Sequence, residues 1–265
     1  MFSPLQISKK YLHYYVTALN GKGHGMHSPF LFQFILNVLN NKQDYTAPEE
    51  IETVRRELLS NNTKLLIEDL GAGSRTAKAK ERTVRQVAAS AVKSKKYSQV
   101  LYRLARYYQP KNIIELGTSL GITTIYFAKA VPSAQVTTIE GSEAIRREAV
   151  KNFERLAVSN VESLQGNFDD VLPLVLNKLD SIDLAYVDGN HRYEPTVRYF
   201  RQIVEKAHND TILVFDDIHW SAEMERAWME IKSDPSVRCT VDLFFLGLVF
   251  FRGEFKEPQH FSIRF

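Results

Sequence analysis

From about residue 99 onward, short apolar runs alternate with longer stretches of helical spacing. Residues 112–116 predict a buried strand, and residues 121–130 a helix that Pro132 closes. The pattern then repeats, with a strand over 135–140 and a helix from Ser142 or Glu143 to about 157. A strand over 161–165 and a helix over 168–179, with Pro173 inside it, come next. Residues 182–187 predict a strand running into Asp188, and residues 193–207 a helix. The last strand–helix pair is 211–215, running into Asp216-Asp217, and 221–232, which stops before Pro235. Residues 237–245 and 248–252 are β-branched and aromatic and flank Gly247, which predicts two strands joined by a tight turn. Strand–helix alternation implies a parallel sheet with helices on both faces. Two tightly joined strands must be antiparallel.

The first 96 residues read differently. Residues 11–20, 29–40 and 48–60 have helical spacing, and no strand–helix alternation links them. The expected organisation is a helical N-terminal extension, 1–96, followed by a sheet domain, 97–265. The extension would pack on the sheet domain or over its ligand mouth. Residues 21–29, with Gly21, Gly23 and Gly25, read as a connector between the first two helices.

Two segments carry the most chemistry. Ile113-Ile114-Glu115-Leu116-Gly117-Thr118-Ser119-Leu120-Gly121 takes a strand into a glycine turn, and Val136-Thr137-Thr138-Ile139-Glu140 ends the next strand on a carboxylate. Glycines let backbone approach a ligand, and a second-strand acid accepts hydrogen bonds from ribose hydroxyls. Gly117 and Glu140 are 23 residues apart, near the spacing of about 20 that such a nucleoside site has. A dinucleotide site wants G-x-G-x-x-G. The chain has Glu115-x-Gly117-x-x-x-Gly121 instead, which speaks against an NAD(P)-dependent oxidoreductase. The negative charge of Glu115 would repel a pyrophosphate and suits a cationic amino-acid moiety.

This pattern resembles the first motif of class I S-adenosylmethionine (SAM) dependent methyltransferases. The resemblance spans roughly residues 98–265. It implies a Rossmann-like seven-stranded sheet, five parallel strands plus a terminal antiparallel hairpin. By the same resemblance, Glu115, Gly117, Thr118, Ser119 and Gly121 wrap the methionine part of SAM, and Glu140 and Gly141 hold the ribose. Asn167 and Phe168 sit where this fold contacts adenine. Helix capping suits Asn167 equally, and core packing suits Phe168.

Asp188-Gly189-Asn190-His191-Arg192-Tyr193 is similar to the fourth motif of small-molecule O-methyltransferases, an Asp-Gly-x-His-x-Tyr run. That likeness places Asp188 by the methyl-donating sulfonium and His191 within reach of the acceptor. Histidine, with an unperturbed pKa near 6.5, suits taking a proton from a hydroxyl. Capping of the following helix is the competing role. In catechol-type relatives the fourth-strand Asp joins an Asp-Asn pair at the fifth strand to hold a divalent cation. Here Asp217 stands where the Asn would be, so Asp188, Asp216 and Asp217 form an all-carboxylate candidate site for Mg²⁺ or another hard cation. The segment lacks the Pro-Pro-aromatic run of amine methylases, and no cysteine lies in the loops. A hydroxyl oxygen of a small molecule is therefore the expected acceptor, reached by direct in-line displacement.

A second glycine-rich segment, Ile67-Glu68-Asp69-Leu70-Gly71-Ala72-Gly73-Ser74-Arg75, also looks like a first motif. Its downstream residues are polar and basic, and no acid-ended strand follows at the required distance, so it reads as a glycine turn or a moving loop. His24 and His27 lie on the glycine-rich connector without the spacing of a zinc site. A lid or substrate contact suits them better.

With 265 residues and 44% hydrophobic content the chain can bury a real core. The single cysteine, Cys239, excludes an intrachain disulfide and fits a reducing compartment. No apolar run reaches the roughly 18 residues of a membrane span. The first residues lack a basic region followed by an apolar one, so a cytoplasmic location is expected. Net charge is +3 but uneven: Arg75, Lys78, Lys80, Arg82, Arg85, Lys93, Lys95, Lys96, Arg103, Arg106 and Lys111 face a single acid, Glu81. A solvated helix face accounts for such a run. It also keeps open an RNA-directed methyltransferase, or a non-catalytic nucleic-acid-binding protein. The sequence leaves a homodimer open.

Overall fold

The structure, a computed structural model, describes residues 1–23, 28–41, 47–68 and 79–265. Helices α1 (Pro4–Thr17), α2 (Pro29–Phe34), which continues into a π-helical turn (Ile35–Leu39), and α3 (Glu49–Leu58) come first. Strands β1 (Lys64–Glu68) and β2 (Ala79–Thr83) and helices α4 (Val84–Ala91) and α5 (Lys95–Tyr108) follow. The alternating region then runs β3 (Asn112–Leu116), α6 (Ile122–Ala130), β4 (Gln135–Glu140), α7 (Glu143–Arg155), β5 (Val161–Gln165) and α8 (Phe168–Asn177). It continues with β6 (Ile182–Val187), α9 (Tyr193–Val204), β7 (Ala207–Asp216), α10 (Ala222–Lys232), β8 (Cys239–Asp242), β9 (Leu246–Phe250) and β10 (Gln259–Ser262). Eight strands belong to one mostly parallel sheet, and β1 and β2 form a second. The chain divides into two compact units, Asn40–Val175 and Met1–Leu39 with Leu176–Phe265.

In the unit 40–175, β3, β4 and β5 are parallel and in step, with Leu116 beside Ile139 and Glu140 beside Gln165. Ile113, Ile114 and Leu116 are buried, as a strand covered on both faces requires. Beneath α6, the Glu52 carboxylate takes the Arg55 guanidinium at 3.1 Å and the Tyr126 hydroxyl. Arg55 also donates to Ser98 Oγ at 3.1 Å. Burial and the Glu52 carboxylate hold the Tyr126 hydroxyl far above the usual tyrosine range.

The extension is not helical throughout. β1 and β2 pair antiparallel, Leu66 opposite Glu81. The five residues of β1 do alternate, since Leu65 and Ile67 are buried and Leu66 is exposed. β2, Ala79-Lys80-Glu81-Arg82-Thr83, has almost none of the branched or aromatic residues that mark a strand. Its pairing is helped by a Lys64–Glu81 ion pair across the ladder at 2.9 Å. Of the segment 67–75, the glycines lie outside the described residues, as do His24 and His27.

In the other unit, β6 and β7 are parallel, β9 is antiparallel to both β7 and β8, and β10 is parallel to β8. The sheet thus exceeds the expected seven strands by β10, a four-residue strand, Gln-His-Phe-Ser, too short and polar to announce itself. The terminal hairpin turns elsewhere than expected. Its turn is Leu243-Phe244-Phe245, with Phe244 at φ +70° and the Leu243 N–H bonded to the Leu246 carbonyl. Gly247 lies inside β9, opposite Phe215. A Cβ there would come within 2.8 Å of the Trp228 ring, so this glycine makes room for packing and not for a turn.

Helix α1 starts at a capping box between Ser3 and Gln6. Its inner face meets the hairpin turn: Tyr11 and Tyr14 lie 5.0 and 5.4 Å from Phe244, ring to ring. The Tyr14 hydroxyl bonds the Ile263 carbonyl.

Candidate functional site

The turn between β3 and α6 is left-handed at three residues, Gly117 (φ +103°), Ser119 (φ +48°) and Gly121 (φ +80°). The Gly117 and Thr118 N–H groups donate to the Ile139 carbonyl at 3.0 and 3.2 Å, tying the turn to the end of β4. Gly121 cannot be replaced without strain, because a Cβ would sit 2.5 Å from the Phe153 ring. Glu140 then joins the turn to the next loop. Its Oε2 accepts the Ser119 N–H at 2.8 Å and its Oε1 the Ser142 N–H at 3.0 Å. Half-buried and gripped at both oxygens, it is a fixed acceptor at a strand's carboxyl end, where ligands of this fold bind.

The other residues expected around SAM are placed as follows. Glu115 is fully buried. Its carboxylate accepts the Thr138 hydroxyl at 2.6 Å and the Thr124 hydroxyl. Through Oε2 it ties β3 to β4 and α6. Thr118 is buried too and shares a 2.6 Å hydrogen bond with Thr138. Gly141 is half-buried, and its carbonyl accepts the Gln165 amide at 3.2 Å. The Asn167 side chain accepts the Asp169 N–H at 3.1 Å, which is the capping role. Phe168, half-buried, opens α8.

In the other unit, β6 ends beside Asp188. The buried Tyr186 hydroxyl donates to Asp188 Oδ2 at 3.1 Å, and His191 Nε2 lies 3.5 Å from Oδ1. Both side chains keep some exposure, 17% for Asp188 and 31% for His191. His191 does not cap α9. The cap position is Arg192, and no side chain caps there. The Tyr193 hydroxyl bonds Glu230, which pushes its pKa up, and the Arg226 guanidinium lies 3.8 Å from the ring centre.

Asp188 and Asp216 follow the paired residues Val187 and Phe215 at the ends of neighbouring parallel strands, and among the described residues no three His, Cys, Asp or Glu side chains gather into a group that could hold a metal. Neighbours along a strand face opposite ways. Asp216 is buried at the end of β7, while Asp217 turns left-handed (φ +52°) with its N–H on the Phe245 carbonyl at 2.8 Å.

One cluster was not legible in the sequence. His219 Nδ1 lies 3.0 Å from Glu225 Oε1 and its Nε2 2.8 Å from Asp242 Oδ2, with the ring stacked on Phe244. Lys10, from α1, reaches the same Glu225 at 2.9 Å. Burial alone would lower the His219 pKa, but Asp242 and Glu225 outweigh it and raise the value. No local signal foretells a partner 23 residues away on β8. The basic run is also broken up. Arg103 is buried, which lowers its pKa to about 10, and Lys95 pairs with Glu49 at 3.2 Å. Arg75 and Lys78 lie outside the described residues.

Residues 114–218 match the family profile of a methyltransferase domain. A catechol O-methyltransferase of Niastella koreensis is 32% identical over 121 residues, 44% of this chain and 54% of that protein. One of Mycobacterium tuberculosis is 28% identical over 47% of this chain and 56% of its own length. The chain thus spans about half the length of the curated relatives it matches. Among solved structures, a Podospora anserina methyltransferase bound to S-adenosylhomocysteine superposes with a TM-score of 0.61 at 12% identity, over 95% of this chain and 97% of that one. The fold is the Rossmann-like methyltransferase fold, and the chain resembles class I SAM-dependent O-methyltransferases.

Proposed function

We propose that this chain transfers the methyl group of SAM to a hydroxyl oxygen of a small molecule. The observation that carries the reading is Glu140, an acid at the end of the second strand of a methyltransferase fold, held by the Ser119 N–H to the glycine turn that precedes α6 and by the Ser142 N–H to the loop that precedes α7. A carboxylate has about four acceptor directions, so one that holds two backbone N–H groups suits ribose hydroxyls as well. SAM, when bound, supplies a methyl group on a positively charged sulfur. The turn 117–121 would line the cofactor with backbone, and Glu140 would fix its ribose. Residues 97–265 would carry this chemistry, with 1–96 as the extension.

On the acceptor side, Asp188 and His191 take the working roles. In that transfer the acceptor hydroxyl would give its proton to the His191 imidazole as its oxygen takes the methyl group from the sulfur, which would leave as S-adenosylhomocysteine. Asp188, 3.5 Å from Nε2, stabilises the imidazolium that results. Orientation of the two reactants supplies much of the acceleration.

The names of the relatives make catechol the first acceptor to try. With ¹³C-methyl SAM and catechol, the labelled carbon should appear on oxygen. His191→Ala and Asp188→Ala should each lower kcat by about 100-fold, the usual scale of general-base catalysis. Full turnover in both variants would exclude these roles.

A further inference from the structure

The loop between β6 and α9 contains a residue in a conformation it does not prefer. Asn190 has φ +61°, in the left-handed region that side chains other than glycine occupy only when their surroundings hold them there. Asparagine tolerates the region better than most, because its amide can hydrogen-bond nearby. Here that amide reaches out of the loop: Nδ2 donates to the Tyr199 hydroxyl at 2.9 Å. Tyr199 is fully buried, and α9 fixes its backbone. The residue after Asn190 is His191, and two before it is Asp188, itself held by the buried Tyr186 hydroxyl. A rigid phenol from the helix thus grips the point where the chain reverses between the two side chains that face each other at 3.5 Å.

We propose that Tyr199 is a positioning residue for methyl transfer: by clamping the Asn190 amide it keeps the loop left-handed and sets the His191 imidazole beside the Asp188 carboxylate. The inference rests on the reading of His191 as the proton acceptor. Tyr199 touches neither reactant and acts through the loop alone. Glycine adopts the left-handed conformation without help, so a glycine at 190 should make the clamp unnecessary.

Tyr199→Phe removes one oxygen atom. It should lower kcat for methylation of catechol by about 10- to 100-fold, the scale of a small misplacement of a reacting group. KM for SAM should stay within about twofold, because uniform cofactor binding is untouched. In an Asn190→Gly background the same substitution should change kcat by less than about threefold, as expected when the coupled partner is already gone. Amide hydrogen exchange over residues 189–192 reads the loop without turnover. It should quicken in Tyr199→Phe and be no quicker in the double variant than in Asn190→Gly alone. A kcat loss of equal size in both backgrounds, or unchanged exchange in Tyr199→Phe, would overturn the proposal. Clamped exchange behaviour with no methyl transfer by the wild-type protein would instead contradict the O-methyltransferase reading and leave the clamp standing. Should Tyr199→Phe not fold, Asn190→Ala tests the clamp from the loop side and must reproduce the kcat loss and the faster exchange.

Discussion

His219 is held by an acid at each ring nitrogen, Glu225 at 3.0 Å and Asp242 at 2.8 Å. Its pKa is raised in the folded protein despite its burial. A histidine whose folded pKa lies above the unfolded value near 6.5 stabilises the fold most when both states are protonated, and that contribution fades as pH climbs through the folded pKa. The melting temperature of the wild-type protein should therefore exceed that of His219→Gln by more at pH 6 than at pH 9. An equal gap at the two pH values would mean that the charge contributes nothing. Residues differed in what their neighbours along the chain revealed. Glu140 stood out in the sequence as a strand-end acid about 20 residues after a glycine turn, and β4 does end on it. Glu115 is buried and bonded to Thr124 and Thr138, partners on α6 and β4 that its neighbours along the chain do not announce. The partners of His219 come from α10 and β8, which no local pattern brings together.

Elements followed the same division between local and distant causes. β3 to β6 run over the residues predicted for them, and for β3 and β6 the reason is that strands buried on both faces are nearly continuously hydrophobic. The hairpin after α10 did not. Gly247 is the kind of residue that marks a turn, but the chain uses it in mid-strand against Trp228 and Ile218. Gly247→Ala should accordingly destabilise the protein by about 1–3 kcal/mol, the cost of overpacking a filled core. Chemical denaturation measures this directly, and an unchanged midpoint would show that the indole moves aside freely. Strands β1, β2 and β10 escaped notice because each has four or five residues and little branched or aromatic content. Their order comes from pairing partners, Thr83 for Lys64 and Cys239 for Gln259.

At the scale of the molecule, alternation of strands and helices was enough to reach the fold, and a glycine turn with Glu140 enough to reach the cofactor class. The basic run from Arg75 to Lys111 looked like one surface and is partly buried and partly paired. The central claim is that the turn 117–121 and Glu140 hold SAM. Calorimetric titration with SAM, and separately with NADH, of the wild-type protein and of Glu140→Ala tests it most directly. Loss of charge-assisted hydrogen bonds worth roughly 1.5–3 kcal/mol corresponds to about a 10- to 100-fold weaker Kd. The account predicts SAM binding to the wild-type protein, weakened to that extent in the folded variant, and no heat with NADH. Equal SAM affinity in both proteins, or none in either, would contradict it.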